Sequence, residues 1–203
     1  MITVGLTGPS GAGKGVVASL FAKRGIPSID TDAVYHALLI PPSPCLDALA
    51  ERFGSKILHS DGTLNRSALA AVVFAPGHEA DLADLNRIAH AHILAQVRLT
   101  LTDYARQGVP VVLVDAPQLF ESGFDGECDV ILSVLASREI RLKRIAERDG
   151  LSAEAANARL NAQKDDAFFA AHSHEILYND GSAARLEDAV ERLLTKWEVR
   201  CED

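Results

Sequence analysis

The chain has 203 residues, of which 48% are hydrophobic and 24% charged, a size and composition typical of one globular domain with a small appendage. Its 28 acidic residues outnumber the 20 lysines and arginines, and the formal charge of −8 disfavours nucleic acid as a partner. No apolar run approaches the roughly 20 residues of a membrane span, no secretory signal is evident, and the three cysteines lack disulfide or zinc spacing. These properties predict a cytoplasmic protein that acts on a small molecule. For its assembly state we expect a monomer or weak oligomer.

The first predicted elements are a strand, a glycine-rich loop and a helix. Residues 2–7 form a short apolar run rich in β-branched side chains, and apolar residues at helical spacing follow from Gly13 to a stop signal at Gly25. The loop between them, residues 8–14 (GPSGAGK), has the spacing Gly-x-x-x-x-Gly-Lys, in which backbone N–H groups and the lysine bind phosphate oxygens. A glycine-rich turn without a ligand is the alternative, but the flanking strand and helix favour a phosphate-binding loop.

The loop lacks one group that such loops usually carry. Gly15 stands where a serine or threonine normally supplies a hydroxyl ligand to Mg²⁺. The backbone that binds phosphate does not depend on this hydroxyl. Because Mg²⁺ keeps several waters in most nucleotide sites, a water held by Asp32 or Asp115 could take the position. We therefore expect weaker metal affinity rather than loss of nucleotide binding.

Two carboxylates, Asp30 and Asp32, follow a short predicted strand at Ser28-Ile29. The carboxyl edge of an open α/β sheet is where ligands bind, and a carboxylate there can accept a proton from an attacking hydroxyl. Either aspartate could instead serve only as the N-cap of the helix predicted to begin near Ala33. We favour a catalytic role for Asp32.

The middle of the chain is predicted to be helical and its second half to alternate strands with helices. A nearly continuous helical pattern over residues 46–107 predicts an inserted helical lobe. The later predicted elements are strands at 109–114, 130–134 and 176–178 and a closing helix from Ala183 to about Val199. This alternation predicts a three-layer α/β fold with a mostly parallel sheet.

Two further features carry chemistry. Asp115 ends the predicted strand 109–114, where phosphate-loop enzymes often place an acid that supports Mg²⁺, although a simple turn before Pro117 is the alternative. The helical stretch 138–148 is strongly basic, and its Arg144 and Arg148 are one turn apart, so they can share a face. Such runs are often solvated surfaces, but phosphoryl transfer needs arginines that neutralise charge on the moving group. We favour the functional interpretation.

Taken together, these segments resemble the dephospho-CoA kinase family, which phosphorylates the ribose 3′-hydroxyl of dephospho-CoA. The resemblance covers nearly the whole chain. Besides the loop and residues 29–32 (IDTD), it includes 115–123 (DAPQLFESG), 148–152 (RDGLS), Gln163 and 179–181 (NDG). The most specific of these segments are 117–121 (PQLFE) and 148–152.

The resemblance implies an α/β, three-layer P-loop kinase fold with a five-stranded parallel sheet. Its nucleotide-binding core would comprise about residues 1–32, 108–137 and 173–203. A helical CoA-binding lobe would take about residues 33–107, and a helical lid about 138–172. ATP and Mg²⁺ would be the cofactors and dephospho-CoA the substrate.

The resemblance also implies roles for individual residues. Asp32 would be the catalytic base that faces the 3′-hydroxyl, with Lys14 and Arg144 as further catalytic residues. Asp32 and Asp115 would hold Mg²⁺ through water, and Asn179 would lie near the adenine of ATP. The residues expected to bind the nucleotide are Gly8, Gly11, Ala12, Gly13, Lys14, Gly15, Val16, Arg144, Arg148 and Asn179.

The chain departs from the family pattern at several positions. They are Gly15-Val16 in place of Ser-Thr, His36 in place of Arg, Ala91 in place of Pro, Gln118 in place of Leu and Arg141 in place of Gln. The first concerns the metal site and the second the substrate contacts. Because Lys14-Gly15 is similar to the adenylate kinase loop, a nucleoside monophosphate kinase is the main alternative. A nucleotide-binding regulator with weakened catalysis is the other.

Overall fold

A computed structural model of the chain describes residues 1–198, so the predicted helix end at Val199 lies outside the described residues. The chain divides into two compact units. The first contains Met1–Ile29 and the residues from Tyr104 onward, and the second is Asp30–Asp103. None of the helices described has both the length and the apolar content needed to cross a bilayer.

A five-stranded parallel sheet organises the first unit, as the sequence predicts. Its strands are β1 Ile2–Thr7, β2 Ser28–Asp30, β3 Val111–Asp115, β4 Val130–Leu135 and β5 Glu175–Tyr178, in the order β2-β3-β1-β4-β5. The strand β1 pairs in parallel with both β3 and β4. Since β1 and β4 are almost entirely buried, they read in the sequence as continuous apolar runs rather than as alternating ones. The predicted three-layer α/β class is confirmed.

Helices connect and flank the strands. They are α1 Lys14–Ala22, α2 Thr31–Leu38, α3 Pro44–Phe53, α4 Arg66–Val73, α5 Glu79–Arg106, α6 Arg138–Asp149, α7 Ala153–Asn161, α8 Asp166–His172 and α9 Ala183–Glu198. In the first unit, Phe21 of α1 stacks on Trp197 of α9 with ring centroids 5.6 Å apart, and both rings are fully buried. They belong to the same apolar core as Val4 and Leu6 of β1. This packing fixes α1 against the sheet and therefore fixes the loop that precedes it.

The second unit has an apolar core of its own. Its buried cluster is made by Leu39, Cys45, Leu49, Phe53, Ile57, Leu69, Val73 and Ile88. Ser43 and Asn65 cap α3 and α4 through side-chain oxygens that accept backbone N–H groups. A separate core is what allows a segment of this length to fold as a compact lobe.

Candidate active site

The loop of residues 8–13 connects the end of β1 to the start of α1 and has a conformation that depends on glycine. Gly8 has φ 137°, and a Cβ there would lie 2.2 Å from the carbonyl oxygen of Val134. Gly13 has φ 99°, and a Cβ there would lie 2.2 Å from Nδ2 of Asn179. Both residues combine a left-handed backbone with a close approach, so no other amino acid fits without rearrangement. The loop is thereby pressed against the end of β4 and against Asn179.

The first turn of α1 is suited to an anion. Gly13 occupies the N-cap position and supplies no side-chain cap, and the turn that begins at Lys14 contains no acidic residue. Backbone N–H groups and the positive end of the helix dipole therefore favour a negative ligand here. Lys14 Nζ donates to the carbonyl oxygen of Gly8 at 3.0 Å, so the lysine lies across the loop. Val16 is exposed, and its N–H donates to Gly13 O at 3.0 Å.

Gly15, the position of the absent hydroxyl, lies in open space. It is exposed, and a Cβ built on it would meet no atom within 4 Å. The nearest hydroxyl along the helix, that of Ser19, donates to Gly15 O at 2.8 Å. A serine side chain at position 15 would therefore fit sterically.

The two aspartates of the segment 30–32 have different environments in the second unit. Asp30 is the N-cap of α2, since its Oδ1 accepts from Asp32 N at 2.9 Å and Ala33 N at 3.1 Å. Asp32 lies in the first turn of α2 with an exposed side chain. The capping role is thus taken by Asp30, which leaves the Asp32 carboxylate available for another function.

Asp115 ends β3 beside the end of β1. It is in register with Leu6, and Ala116 N donates to Leu6 O at 3.0 Å, so Asp115 sits at the same sheet edge from which the loop leaves. Within residues 1–198, no three His, Cys, Asp or Glu side chains cluster as a ready-made metal site. One or two carboxylates, together with nucleotide phosphates and water, are nevertheless the usual ligands of Mg²⁺. The carboxylate oxygens of Asp115, and separately those of Asp32 in the second unit, are ligands of the kind that this ion takes.

The basic helix α6 brings Arg144 onto the loop. Its Nη1 donates to Gly11 O at 3.2 Å and to Ala12 O at 3.3 Å, while Nη2 donates to Asn179 O at 3.1 Å. Asn179 is buried, and its own Nδ2 donates to Ala12 O at 2.8 Å. In the structure described, these two side chains contact the backbone of the loop. Their predicted contacts with the phosphoryl group and with adenine stay predictions.

Arg148 approaches the same loop from one turn further along α6. Its Nη2 lies 3.4 Å from the hydroxyl oxygen of Ser10, and its Nε donates to Asp149 Oδ1 at 2.8 Å. This hydrogen bond holds the pKa of the Asp149 carboxyl below its usual range. Asp149 therefore remains ionised near neutral pH and offsets part of the positive charge that Arg148 brings to the loop.

The basic run does not form one functional face. Arg141 is 7% exposed, and its Nη2 lies 3.1 Å from Asp166 Oδ1 of α8. Arg138 donates instead to Asn157 and Asn161 of α7. The backbone of Arg141 lies against Gly11, whereas Arg144 and Arg148 direct their side chains to the loop.

Gln163, which follows α7, is a contact to the loop for which the sequence suggested no role. Its Oε1 accepts the backbone N–H of Ser10 at 2.9 Å. The sequence around Gln163 does not predict this contact, because a single polar residue between two helices has no distinctive local pattern. Its only sequence marker is that it belongs to the segments shared with the family.

The family model and the curated relatives agree on one family. The family model described as dephospho-CoA kinase matches residues 2–185. The chain is 36% identical to a dephospho-CoA kinase of Anaeromyxobacter dehalogenans over 195 residues, which are 96% of this chain and 91% of that protein. It is 35% identical to one of Symbiobacterium thermophilum over 202 residues, 99% of this chain and 82% of that protein. Among solved structures, TT1252 from Thermus thermophilus has a TM-score of 0.78 at 31% identity, covering 96% of this chain and 97% of its own.

Proposed function

The chain belongs to the dephospho-CoA kinase family, and we propose that it transfers the γ-phosphoryl group of ATP to the ribose 3′-hydroxyl of dephospho-CoA, which yields CoA. The observation that carries the proposal is the loop of residues 8–14 at the carboxyl edge of the sheet, in a chain matched by the family along nearly its whole length. A cytoplasmic location, a monomeric or weakly associated state and the absence of a nucleic-acid partner are parts of the proposal.

The loop and the start of α1 would bind the phosphates of ATP. Backbone N–H groups at the helix N-terminus, such as that of Gly15, can donate to phosphate oxygens, and Val16 would share its N–H between Gly13 O and a phosphate oxygen. Lys14 would exchange its bond to Gly8 O for a phosphate oxygen, which is a small movement for a flexible side chain. Arg144 and Arg148 add positive charge beside the loop, where charge on the transferring group has to be neutralised.

Asp32 would act as the general base. The 3′-oxygen forms a bond to the γ-phosphorus, the bond from that phosphorus to the β–γ bridging oxygen breaks, ADP leaves, and the hydroxyl proton passes to the Asp32 carboxylate. Mg²⁺ held by the nucleotide and, through water, by Asp32 and Asp115 would neutralise phosphate charge. The exposed carboxylate of Asp32 and the capping role of Asp30 support this assignment.

We assign the segments as the resemblance suggests. Residues of about 1–32, 108–137 and 173–203 would form the core, about 33–107 the CoA-binding lobe and about 138–172 the lid. Closure of the lid would exclude water from the transferring phosphoryl group. The contacts of Arg148 and Gln163 with Ser10 support a segment that reaches the loop.

One assay separates this proposal from its alternatives. ADP release is measured with Mg·ATP and dephospho-CoA, AMP or CMP as the acceptor. Turnover with dephospho-CoA alone supports the proposal. Turnover with AMP or CMP instead would identify a nucleoside monophosphate kinase, which the Lys14-Gly15 pair favours as the second candidate. ATP binding without turnover on any acceptor would identify a regulator and contradict both kinase assignments.

A further inference from the structure

We propose that Asn179 and Arg144 are positioning residues that fix the orientation of the Ala12–Gly13 peptide, so that its N–H group faces the bound phosphates. This inference rests on the proposed function only in taking the loop as the ATP site. The role concerns the backbone of the loop, not the base or the transferring group of ATP.

The hydrogen bonds define the orientation of this one peptide. Its carbonyl oxygen, that of Ala12, accepts from Asn179 Nδ2 at 2.8 Å and from Arg144 Nη1 at 3.3 Å. In a planar trans peptide the C=O and N–H bonds point in opposite directions. With the carbonyl turned towards Asn179 and Arg144, the N–H of Gly13 must point away from them.

The peptide needs such restraint because of its glycine. Gly13 adopts φ 99°, and glycine passes between positive and negative φ at little cost. A flip of the Ala12–Gly13 peptide would replace the N–H donor at the phosphate site with a carbonyl oxygen, which repels an anion. Two donors on Ala12 O oppose this flip, because the flipped carbonyl would leave both of them without that acceptor.

The restraint is itself rigidly anchored. Asn179 is 8% exposed, and its backbone N–H donates to Leu135 O at 2.8 Å at the end of β4. Arg144 bonds Asn179 O through Nη2, which couples the two donors to each other. Asn179 therefore links the loop to the central sheet, because its side chain bonds the loop and its backbone bonds β4.

A contact with adenine and a restraint on the loop predict different binding losses. Loss of an adenine contact weakens ADP and leaves inorganic tripolyphosphate unaffected, because tripolyphosphate has no base. Loss of the loop restraint weakens both ligands by the same factor, because both depend on the loop N–H groups. The ratio of the two losses therefore separates the roles.

The test is the Asn179→Ala variant of the full chain, with ADP and tripolyphosphate binding measured by titration calorimetry. We expect both dissociation constants to rise roughly tenfold, the usual scale of a lost buried hydrogen bond. The KM for ATP should rise by a similar factor while kcat changes less than about threefold. The matched control is Asn157→Ala, which also removes an amide donor to a backbone carbonyl, that of Ala153 at 3.0 Å, but away from the loop. It should leave both constants unchanged.

A loss confined to ADP would overturn the inference and return Asn179 to the adenine site, and unchanged binding of both ligands would overturn it as well. If Asn179→Ala does not fold, Arg144→Lys serves. Lysine keeps the charge, but its donors lie on one nitrogen and cannot span the carbonyls that Nη1 and Nη2 of Arg144 reach. Both ligands should again weaken together, and wild-type affinity for tripolyphosphate would refute the role. Because the ADP and tripolyphosphate titrations do not use dephospho-CoA, failure of that acceptor to react would contradict the proposed function without affecting the binding result.

Discussion

The helix α1 begins after the loop that follows β1, the helix α2 begins directly after β2, and their first turns are completed in opposite ways. The N-cap of α1 is Gly13, which offers no side chain, whereas the N-cap of α2 is Asp30, whose carboxylate accepts two backbone N–H groups. A helix that carries its own carboxylate has already satisfied donors that an anion would use. The comparison therefore supports the proposal that the start of α1 binds phosphate and that α2 carries the proposed general base, Asp32, in its first turn.

The largest effect, on kcat, should come from replacing the Asp32 carboxylate while keeping Asp30 as the N-cap of α2. Asp32→Asn should lower kcat with Mg·ATP and dephospho-CoA about a thousandfold, because an amide cannot accept the hydroxyl proton. ATP affinity, measured by calorimetry, should stay within about twofold, because in our proposal the phosphates bind at the start of α1.

The control for this variant is the neighbouring Asp30→Asn. Asparagine is as good an N-cap as aspartate, so this variant loses one charge but keeps the helix start, and its kcat should fall less than about threefold. If Asp32→Asn turned over at the wild-type rate, Asp32 would not be the base and the division of roles between the two aspartates would be wrong.

A second effect should come from forcing a side chain into the uncapped start of α1. Gly13→Ala places a Cβ at positive φ and 2.2 Å from Asn179 Nδ2, so the free energy of unfolding should fall by about 2 kcal/mol. ADP binding should weaken with it. Urea unfolding followed by circular dichroism measures the first effect.

The same substitution at Gly15, two residues further on, should change the free energy of unfolding in the opposite direction. At Gly15 a Cβ meets nothing within 4 Å and the residue is helical, so Gly15→Ala should stabilise the chain by about 0.5 kcal/mol. If Gly13→Ala and Gly15→Ala changed the free energy of unfolding equally, the close approach of Asn179 to Gly13 would not constrain the loop.

The sequence predicts the α1 site better than it predicts what surrounds it. Strand, loop and helix are local patterns, and the spacing from Gly8 to Lys14 leaves few other interpretations. The contacts that hold the loop join residues far apart in the chain, such as Ala12 and Asn179, and no local periodicity records them. The basic run of α6 indicates charge, but only packing shows that Arg141 pairs with Asp166 while Arg144 turns to the loop.

Removing the α2 cap should have a moderate effect on stability. Asp30→Ala deprives the N–H groups of Asp32 and Ala33 of their acceptor, so the free energy of unfolding should fall by about 1 kcal/mol. Asp30→Asn should match the wild type in the same urea titration. Wild-type stability of the alanine variant would mean that water caps α2 equally well, and the contrast between the two helix starts would lose its basis.

The smallest effect, on the Mg²⁺ dependence of turnover, should come from placing the missing hydroxyl at position 15 of α1. Because position 15 opens into free space, Gly15→Ser should fold normally and offer Mg²⁺ one more oxygen, lowering the half-saturating Mg²⁺ concentration for ATP turnover roughly threefold. Gly15→Ala is the matched control, since it changes the backbone in the same way without adding an oxygen. ATP affinity in the presence of EDTA should be equal in the two variants. If serine and alanine respond identically to Mg²⁺, a hydroxyl at this position adds nothing to the metal site and the prediction is wrong.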